Sequence, residues 1–235
     1  MRKAYGQSHI GKVREDNQDS FYINESIGFY SVADGIGGLE AGEVASCFTL
    51  DELNRILFEF TSVDPGIPSI SVLHIMVNQV SSELRAQVLQ NTGTTLVFTL
   101  VSGREAAFVN VGDSPGYLFR KGFLRQITRD HNLAEQMVRL GRITSAQAKV
   151  HPYRNRLTAY IGMEGEVYPE IGIIPLQPED RILLCSDGLT GMVSEKSIEK
   201  VLQETPDCEK AVKILVQMAL NAGGHDNVSV VVVDI

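Results

Sequence analysis

The chain has 235 residues, with 21 Lys and Arg against 29 Asp and Glu; its formal net charge of −8 argues against a nucleic-acid grip, because electrostatic phosphate binding requires a basic face. Hydrophobic residues make up 43% and charged residues 21%, the balance of an ordinary globular chain, which excludes disorder as the main state. No apolar run approaches the roughly 20 residues a membrane helix needs, and Met1-Arg2-Lys3 is followed by polar residues instead of an apolar signal core, so a soluble cytoplasmic protein without membrane insertion is expected.

In chain order, Gly28 to Ala33 reads as a strand and Glu40 to Phe60 as a helix. After a turn at Thr61-Ser62-Val63-Asp64-Pro65-Gly66, a second helix is predicted from Pro68 to Leu89, where Ile70, Leu73, Val77, Val80, Leu84 and Val88 recur at three and four. Four short β-rich runs follow, Leu96 to Val101, Ala106 to Val111, Gly116 to Phe119 and Phe123 to Ile127. Ser102-Gly103-Arg104 and Arg120-Lys121-Gly122 separate them in the manner of an antiparallel meander. Leu133 to Leu140 is helical, and Thr144 caps a further turn at Ser145 to Lys149. Val167 to Ile173, Arg181 to Cys185 and Val228 to Val233 are strand signals; Ser194 to Leu202 and Cys208 to Ala219 are helical. With no repeat or linker, the pattern predicts one α+β domain over residues 1–235. Cys47, Cys185 and Cys208 are too scattered for a disulfide framework or a zinc knuckle, and are expected as buried thiols.

Four aspartates sit at the edges of apolar β runs beside small residues: Asp34 before Gly35, Asp113 after Gly112, Asp187 before Gly188, and Asp226 in Gly224-His225-Asp226-Asn227. A lone Asp-Gly is usually a turn. Four carboxylates brought together would repel and raise one another's pKa unless cations neutralise them. All-oxygen ligands favour Mg²⁺ or Mn²⁺ over zinc, and glycine lets backbone approach an ion closely. Two such ions roughly 4 Å apart are a standard device for attacking phosphorus. Arg14 precedes the acidic run Glu15-Asp16-Asn17-Gln18-Asp19, and guanidinium grips phosphate oxygens bidentately.

Other motifs compete with this reading. Gly112-Asp113-Ser114-Pro115-Gly116 fits the G-x-S-x-G elbow of serine hydrolases, but Pro115 has no N–H to offer an oxyanion and Tyr117-Leu118-Phe119 is strand-like where a helix should open. Gly35-Ile36-Gly37-Gly38-Leu39-Glu40 lacks the Lys-Ser/Thr of a P-loop. The five histidines form no close pair, so zinc catalysis has no support.

Arg14-Glu15-Asp16-Asn17-Gln18-Asp19-Ser20-Phe21 and Val32-Ala33-Asp34-Gly35-Ile36-Gly37-Gly38, with Ala41-Gly42-Glu43, resemble the opening motifs of the metal-dependent Ser/Thr protein phosphatases (the PPM or protein phosphatase 2C family) in compact bacterial form. The likeness continues through Thr94-Thr95-Leu96, Gly112-Asp113-Ser114, Thr128-Arg129-Asp130-His131, His151-Pro152-Tyr153-Arg154-Asn155, Ser186-Asp187-Gly188 and His225-Asp226-Asn227, nearly the whole chain. It implies a four-layer α-β-β-α sandwich, a central pair of antiparallel sheets flanked by helices, with a two-metal centre at one edge. By position Asp34 would bridge two Mn²⁺ or Mg²⁺ ions, the Gly35 carbonyl would ligate one, and Asp187 and Asp226 would complete the other. Asp19 would hold its ion directly or through water, Asp113 would hold a third, weaker ion, and Arg14 would bind phosphate. A metal-bridging water would attack phosphorus directly.

The resemblance further implies phosphoserine and phosphothreonine proteins as substrates, an opposing Ser/Thr kinase, a monomer, and a flap over residues 131–162. A regulatory phosphoprotein-binding module on the same fold is the alternative. Ile36 and Leu39 stand where relatives carry a histidine, Pro115 where an arginine usually follows Gly-Asp-Ser, and Ala159 where an arginine is common. The proton donor to the leaving oxygen is then a metal-bound water or a residue outside these motifs.

Overall fold

A computed structural model describes residues 2–36, 41–87 and 92–235 of the chain. Strands β1 (Lys3–His9), β2 (Asp19–Asn24) and β3 (Phe29–Ile36) lead into helices α1 (Ala41–Val63) and α2 (Ile70–Gln87). Then come β4 (Gly93–Thr94), β5 (Leu96–Ser102), β6 (Glu105–Val111), β7 (Gly116–Arg120) and β8 (Phe123–Gln126), followed by α3 (Leu133–Arg139) and α4 (Ser145–Ala148). β9 (Glu170–Pro175), β10 (Arg181–Cys185), α5 (Asp187–Thr190), α6 (Glu195–Glu204), α7 (Cys208–Asn221) and β11 (Val228–Asp234) complete the order.

The strands make two antiparallel sheets, one ordered β1-β11-β10-β7-β8 and the other β2-β3-β5-β6-β9, with β4 paired to β3. Strand alternation divides the apolar side chains among three layers. Phe29, Ala33, Leu96, Phe98, Leu100, Val109 and Val111 face α1 and α2, where Leu50, Leu53, Leu57, Leu73, Val77 and Leu84 are buried. Tyr30, Val32, Val97, Phe108, Leu118, Ile182, Leu184, Val231 and Val233 pack between the sheets. Leu183, Cys185, Val230 and Val232 face α6 and α7 with Ile198, Val212 and Leu215. This is the expected four-layer sandwich. The unbroken apolar run of β11 follows from its burial on both faces.

The structure revises several local expectations. β5 to β8 is not one meander: β5 pairs β6 and β7 pairs β8, but β6 and β7 belong to different sheets. The chain crosses between the layers at Gly112, whose φ of 104° favours glycine and whose added Cβ would meet the Thr95 Cβ at 2.7 Å. β1 and β2 were not foreseen, since glycine and polar residues dilute their pattern. α1 runs to Val63, into the first half of the expected turn, and β9 starts at Glu170 instead of Val167, whose side chain is buried against the α1 and α2 layer. Cys47 is exposed on α1 instead of buried. The ends expected at Glu40 and at Val88 and Leu89 lie outside the described residues.

The excursion 131–162 is held at both ends. His131 N–H donates to the Gly112 carbonyl at 2.7 Å and Thr158 N–H to the His131 carbonyl at 2.7 Å. At the far end Thr94 and Ile161 exchange N–H···O bonds of 3.1 and 2.8 Å. Within it Thr144 caps α4, as the sequence predicts, and forms a capping box with Gln147, while Asn132 caps α3.

Core packing generates a stability test. Leu183 is fully buried between β10 and the outer helices, so Leu183→Ala should cost about 2–5 kcal/mol in urea unfolding. Phe123, 73% exposed on β8, should cost no more than about 0.5 kcal/mol on the same substitution.

Candidate active site

Two neighbouring strands from each sheet end at one edge of the sandwich. Asp19 opens β2 and stands directly opposite Asp34 of β3 in the antiparallel register. Asp187 opens α5 straight after β10, and Asp226 lies two residues before β11. Asp113 sits in the crossing from β6 to β7. Arg14 occupies the loop between β1 and β2, and its Nη2 donates to Asp226 Oδ2 at 2.9 Å. All seven residues singled out in the sequence, Arg14, Asp19, Asp34, Gly35, Asp113, Asp187 and Asp226, therefore gather at this edge.

Their electrostatics are adverse in the protein alone. Like charges directly opposite on paired strands repel. Burial, followed by Asp19, Asp187, Asp113 and Asp226, raises the Asp34 carboxyl well above its ordinary range. Burial pushes Asp19 up to about 7 against the opposing hydrogen bonds of Ser186 and Ser229. Asp187 rises to about 6, through burial first and Asp226 second, while Arg14, Arg154 and a hydrogen bond with Asp34 hold it down. Asp113 is raised well above its ordinary range by burial, Asp187 and Asp130. Asp130 is itself pushed to about 7 by burial, although Gln126 donates to it at 2.8 Å.

A divalent cation fits this donor set. The side chains offer oxygen only, which suits a hard ion. Asp19 Oδ2 accepts from Ser186 Oγ at 2.7 Å, whereas Asp19 Oδ1 is buried with no hydrogen-bond partner, and a buried unpartnered carboxylate oxygen needs a cation or a donor. The cluster is gathered without being closed. Among the described residues no three His, Cys, Asp or Glu side chains enclose a common point, so an ion would draw on backbone oxygen and water as well.

Neutral groups hold the charged ones in place. Asn227, 6% exposed, uses its whole side-chain amide: Oδ1 accepts from Gln18 N–H at 2.9 Å, and Nδ2 donates to the Ile10 and Asp16 carbonyls at 2.8 and 2.9 Å. It thereby grips both legs of the loop that presents Arg14. Thr95 Oγ1 accepts the Asp34 N–H at 2.9 Å and bonds Ser114 Oγ at 2.6 Å, while Thr94 Oγ1 donates to the Asp34 carbonyl at 2.9 Å. Ser114 is fully buried in this lattice and is followed by β7, so the serine-nucleophile reading fails. Gly35 and Gly188 are required by space, since a Cβ would lie 2.2 Å from the Gly42 carbonyl oxygen and 1.8 Å from the Asn227 carbonyl oxygen, respectively. Ile36 ends β3, and residues 37–40, including Leu39 and most of the glycine-rich run, lie outside the described residues.

The sequence model of the family described as Protein phosphatase 2C matches residues 5–222. The chain belongs to the protein phosphatase 2C family. The serine/threonine phosphatase stp of Listeria monocytogenes is 34% identical over 95% of this chain and 92% of its own length. The serine/threonine protein phosphatase PstP of Mycobacterium tuberculosis is 38% identical over 97% of this chain and 44% of its own. The crystal structure of the M. tuberculosis PstP/Ppp phosphatase superposes with a TM-score of 0.91 at 37% identity, covering 100% of this chain and 98% of that one. The catalytic domain of PstP in complex with two manganese ions superposes with a TM-score of 0.87 at 36% identity over 99% and 97% of the two chains. The chain is accordingly a metal-dependent serine/threonine protein phosphatase of bacterial type, and its substrates are phosphoproteins.

Sequence reasoning assigned no task to Asn227, Ser186, Thr94, Thr95 or Asp130. For Ser186 and Asn227 the available signal was a place next to a site aspartate; the partners lie far away in the chain, 209 residues in the case of Gln18 and Asn227.

The carboxyl shifts set a pH dependence. Without metal, the folded chain keeps protons on Asp19 and Asp187 up to about 7 and 6, whereas unfolded aspartates release theirs near 4. The unfolded state then binds fewer protons between these limits, so metal-free stability should fall as pH rises from about 4 to 7. Thermal unfolding in excess chelator should show that decline, and saturating Mn²⁺ should reverse its sign.

Proposed function

We propose that the carboxylates at the sandwich edge hold two ions, Mn²⁺ or Mg²⁺, for the hydrolysis of phosphoserine and phosphothreonine monoesters. In this reading Asp34 would serve both, the Gly35 carbonyl and Asp19 would serve one, Asp187 and Asp226 the other, and Asp113 a third, weaker ion. When bound, the ions supply the positive charge that activates water for in-line attack at phosphorus and stabilises the charge that develops there. The observation that carries the reading is the facing pair of buried Asp19 and half-buried Asp34, in register and joined by Asp187. Asp19, Asp34, Asp187 and Asp226 bring four negative charges and two divalent ions four positive ones, leaving a nearly neutral centre. Arg14 then contributes the excess cation, and its guanidinium binds and orients the phosphate oxygens.

Asn227 fixes the loop from which Arg14 reaches that position, and Thr94 and Thr95 fix the backbone of Asp34. Residues 131–162 act as a flap, a role supported by their attachment beside Asp113 at one end and beside Asp34 at the other. The protein acts in the cytoplasm as a monomer against a Ser/Thr protein kinase.

Hydrolysis of p-nitrophenyl phosphate with and without Mn²⁺, and with excess chelator, tests the reading. Turnover should require the ion. Asp34→Asn, Asp187→Asn and Asp226→Asn should each lower kcat by orders of magnitude, and Asp113→Ala should lower kcat while calorimetry still finds the tighter ions bound. Metal-independent turnover would refute the assignment.

Arg14→Ala should chiefly raise KM, since a phosphate clamp contributes to ground-state binding. Asn227→Asp, which removes both carbonyl contacts and keeps the side chain's shape, should raise KM in the same direction. The two changes should combine to less than their sum, because both act through one guanidinium. Strictly additive losses would separate Asn227 from Arg14.

A further inference from the structure

The charge of the chain is unevenly distributed. Residues 131–162 carry Arg139, Arg142, Lys149, Arg154 and Arg156 against Glu135 alone, a net of +4 in a chain of −8, so the remainder carries −12. Lys149 is tied to Glu195 at 3.0 Å. Arg139, Arg142, Arg154 and Arg156 are exposed, and among the described residues none of them forms an ion pair with a carboxylate. An arginine-rich surface left without partners in an acidic protein is not there to stabilise the fold, since exposed arginines without carboxylates add little to stability. Glu166 and Glu170, which follow the segment, are engaged elsewhere, Glu166 with His74 and Glu170 with Arg129.

The position of these cations is set by the attachment of the segment. One end is bonded to Gly112, the neighbour of Asp113, and the other to Thr94, whose hydroxyl holds the Asp34 carbonyl. Leu140, Val150 and Tyr153 stand exposed among the arginines at 61%, 78% and 48%, so the same surface offers apolar contact to a polypeptide.

We propose that the 131–162 surface is a docking face for the acidic stretch of a phosphorylated polypeptide, so that the enzyme prefers phosphoserine and phosphothreonine flanked by Asp and Glu. The inference rests on the metal-dependent phosphatase site proposed above. The phosphate enters the centre while carboxylates on either side meet arginines that the fold leaves unpaired. Basic flanks meet like charge there, and like-charge juxtaposition suppresses wrong partners.

The test compares kcat/KM, in Mn²⁺, for two phosphothreonine peptides of equal length, one with Asp and Glu flanks and one with Lys and Arg flanks. Each value is read relative to p-nitrophenyl phosphate, which is too short to touch the segment. The acidic peptide should be favoured about tenfold or more at low ionic strength, and the preference should shrink in 0.5 M salt as exposed charges are screened. In the triple variant Arg139→Gln, Arg142→Gln, Arg154→Gln the ratio of acidic to basic peptide should fall toward one. Equal use of both peptides by the unmodified enzyme, or a variant that keeps the ratio, overturns the docking face while p-nitrophenyl phosphate turnover leaves the metal site standing. Loss of metal-dependent turnover on every substrate by the unmodified enzyme would instead refute the site itself.

Discussion

Two carboxylates held face to face on neighbouring strands are the condition on which the architecture turns. Asp19 and Asp34 are placed opposite each other by a register that also buries Val32 between the sheets and Ala33 against α1. A slip of one residue would separate the carboxylates and would also turn the whole apolar set of β3 to the wrong layers. The packing of three cores thus enforces a contact that electrostatics alone would abolish. The cost is visible in the protons that Asp19 and Asp187 retain toward neutral pH.

The repulsion is sustained by uncharged groups that fix backbone. Ser186 and Asn227 make short hydrogen bonds between strand ends of the two sheets, and Thr94 and Thr95 hold Asp34 from within its own sheet, each joining segments distant in the chain. These side chains are buried, and their polar atoms are used where they lie, so they rigidify the site without adding charge to it. A geometry held in this way is ready before any ion or phosphate arrives, which is the preorganisation that electrostatic catalysis requires.

Much of this was legible from residue order. The site aspartates stand where apolar β runs stop, and a strand end is where side chains leave the core, so Asp34, Asp187 and Asp226 could be read without coordinates. The long helices were legible because Leu73, Val77, Val80 and Leu84 repeat on one face. β1 was not, because Gly6 replaces a side chain to admit the Phe21 ring and Gln7 and Ser8 interrupt the apolar pattern. The break between β6 and β7 was hidden for a different reason. Each hairpin is locally correct, and only the crossing at Gly112 sends the second to the other sheet. Hydrogen bonds such as those of Asn227 are tertiary, and no local pattern encodes their partners.

The pairing of β1 with β11 has a temporal meaning. Lys3 lies beside Asp234 and His9 beside Val228, so β1 has no neighbour in its sheet until β11 has been made. Arg14 and Asp226, 212 residues apart, meet only at that moment. Until then the β2, β3, β5 and β6 layer carries Asp34 without Asp226. The two sides of the acidic edge therefore come together only once β11 has been made.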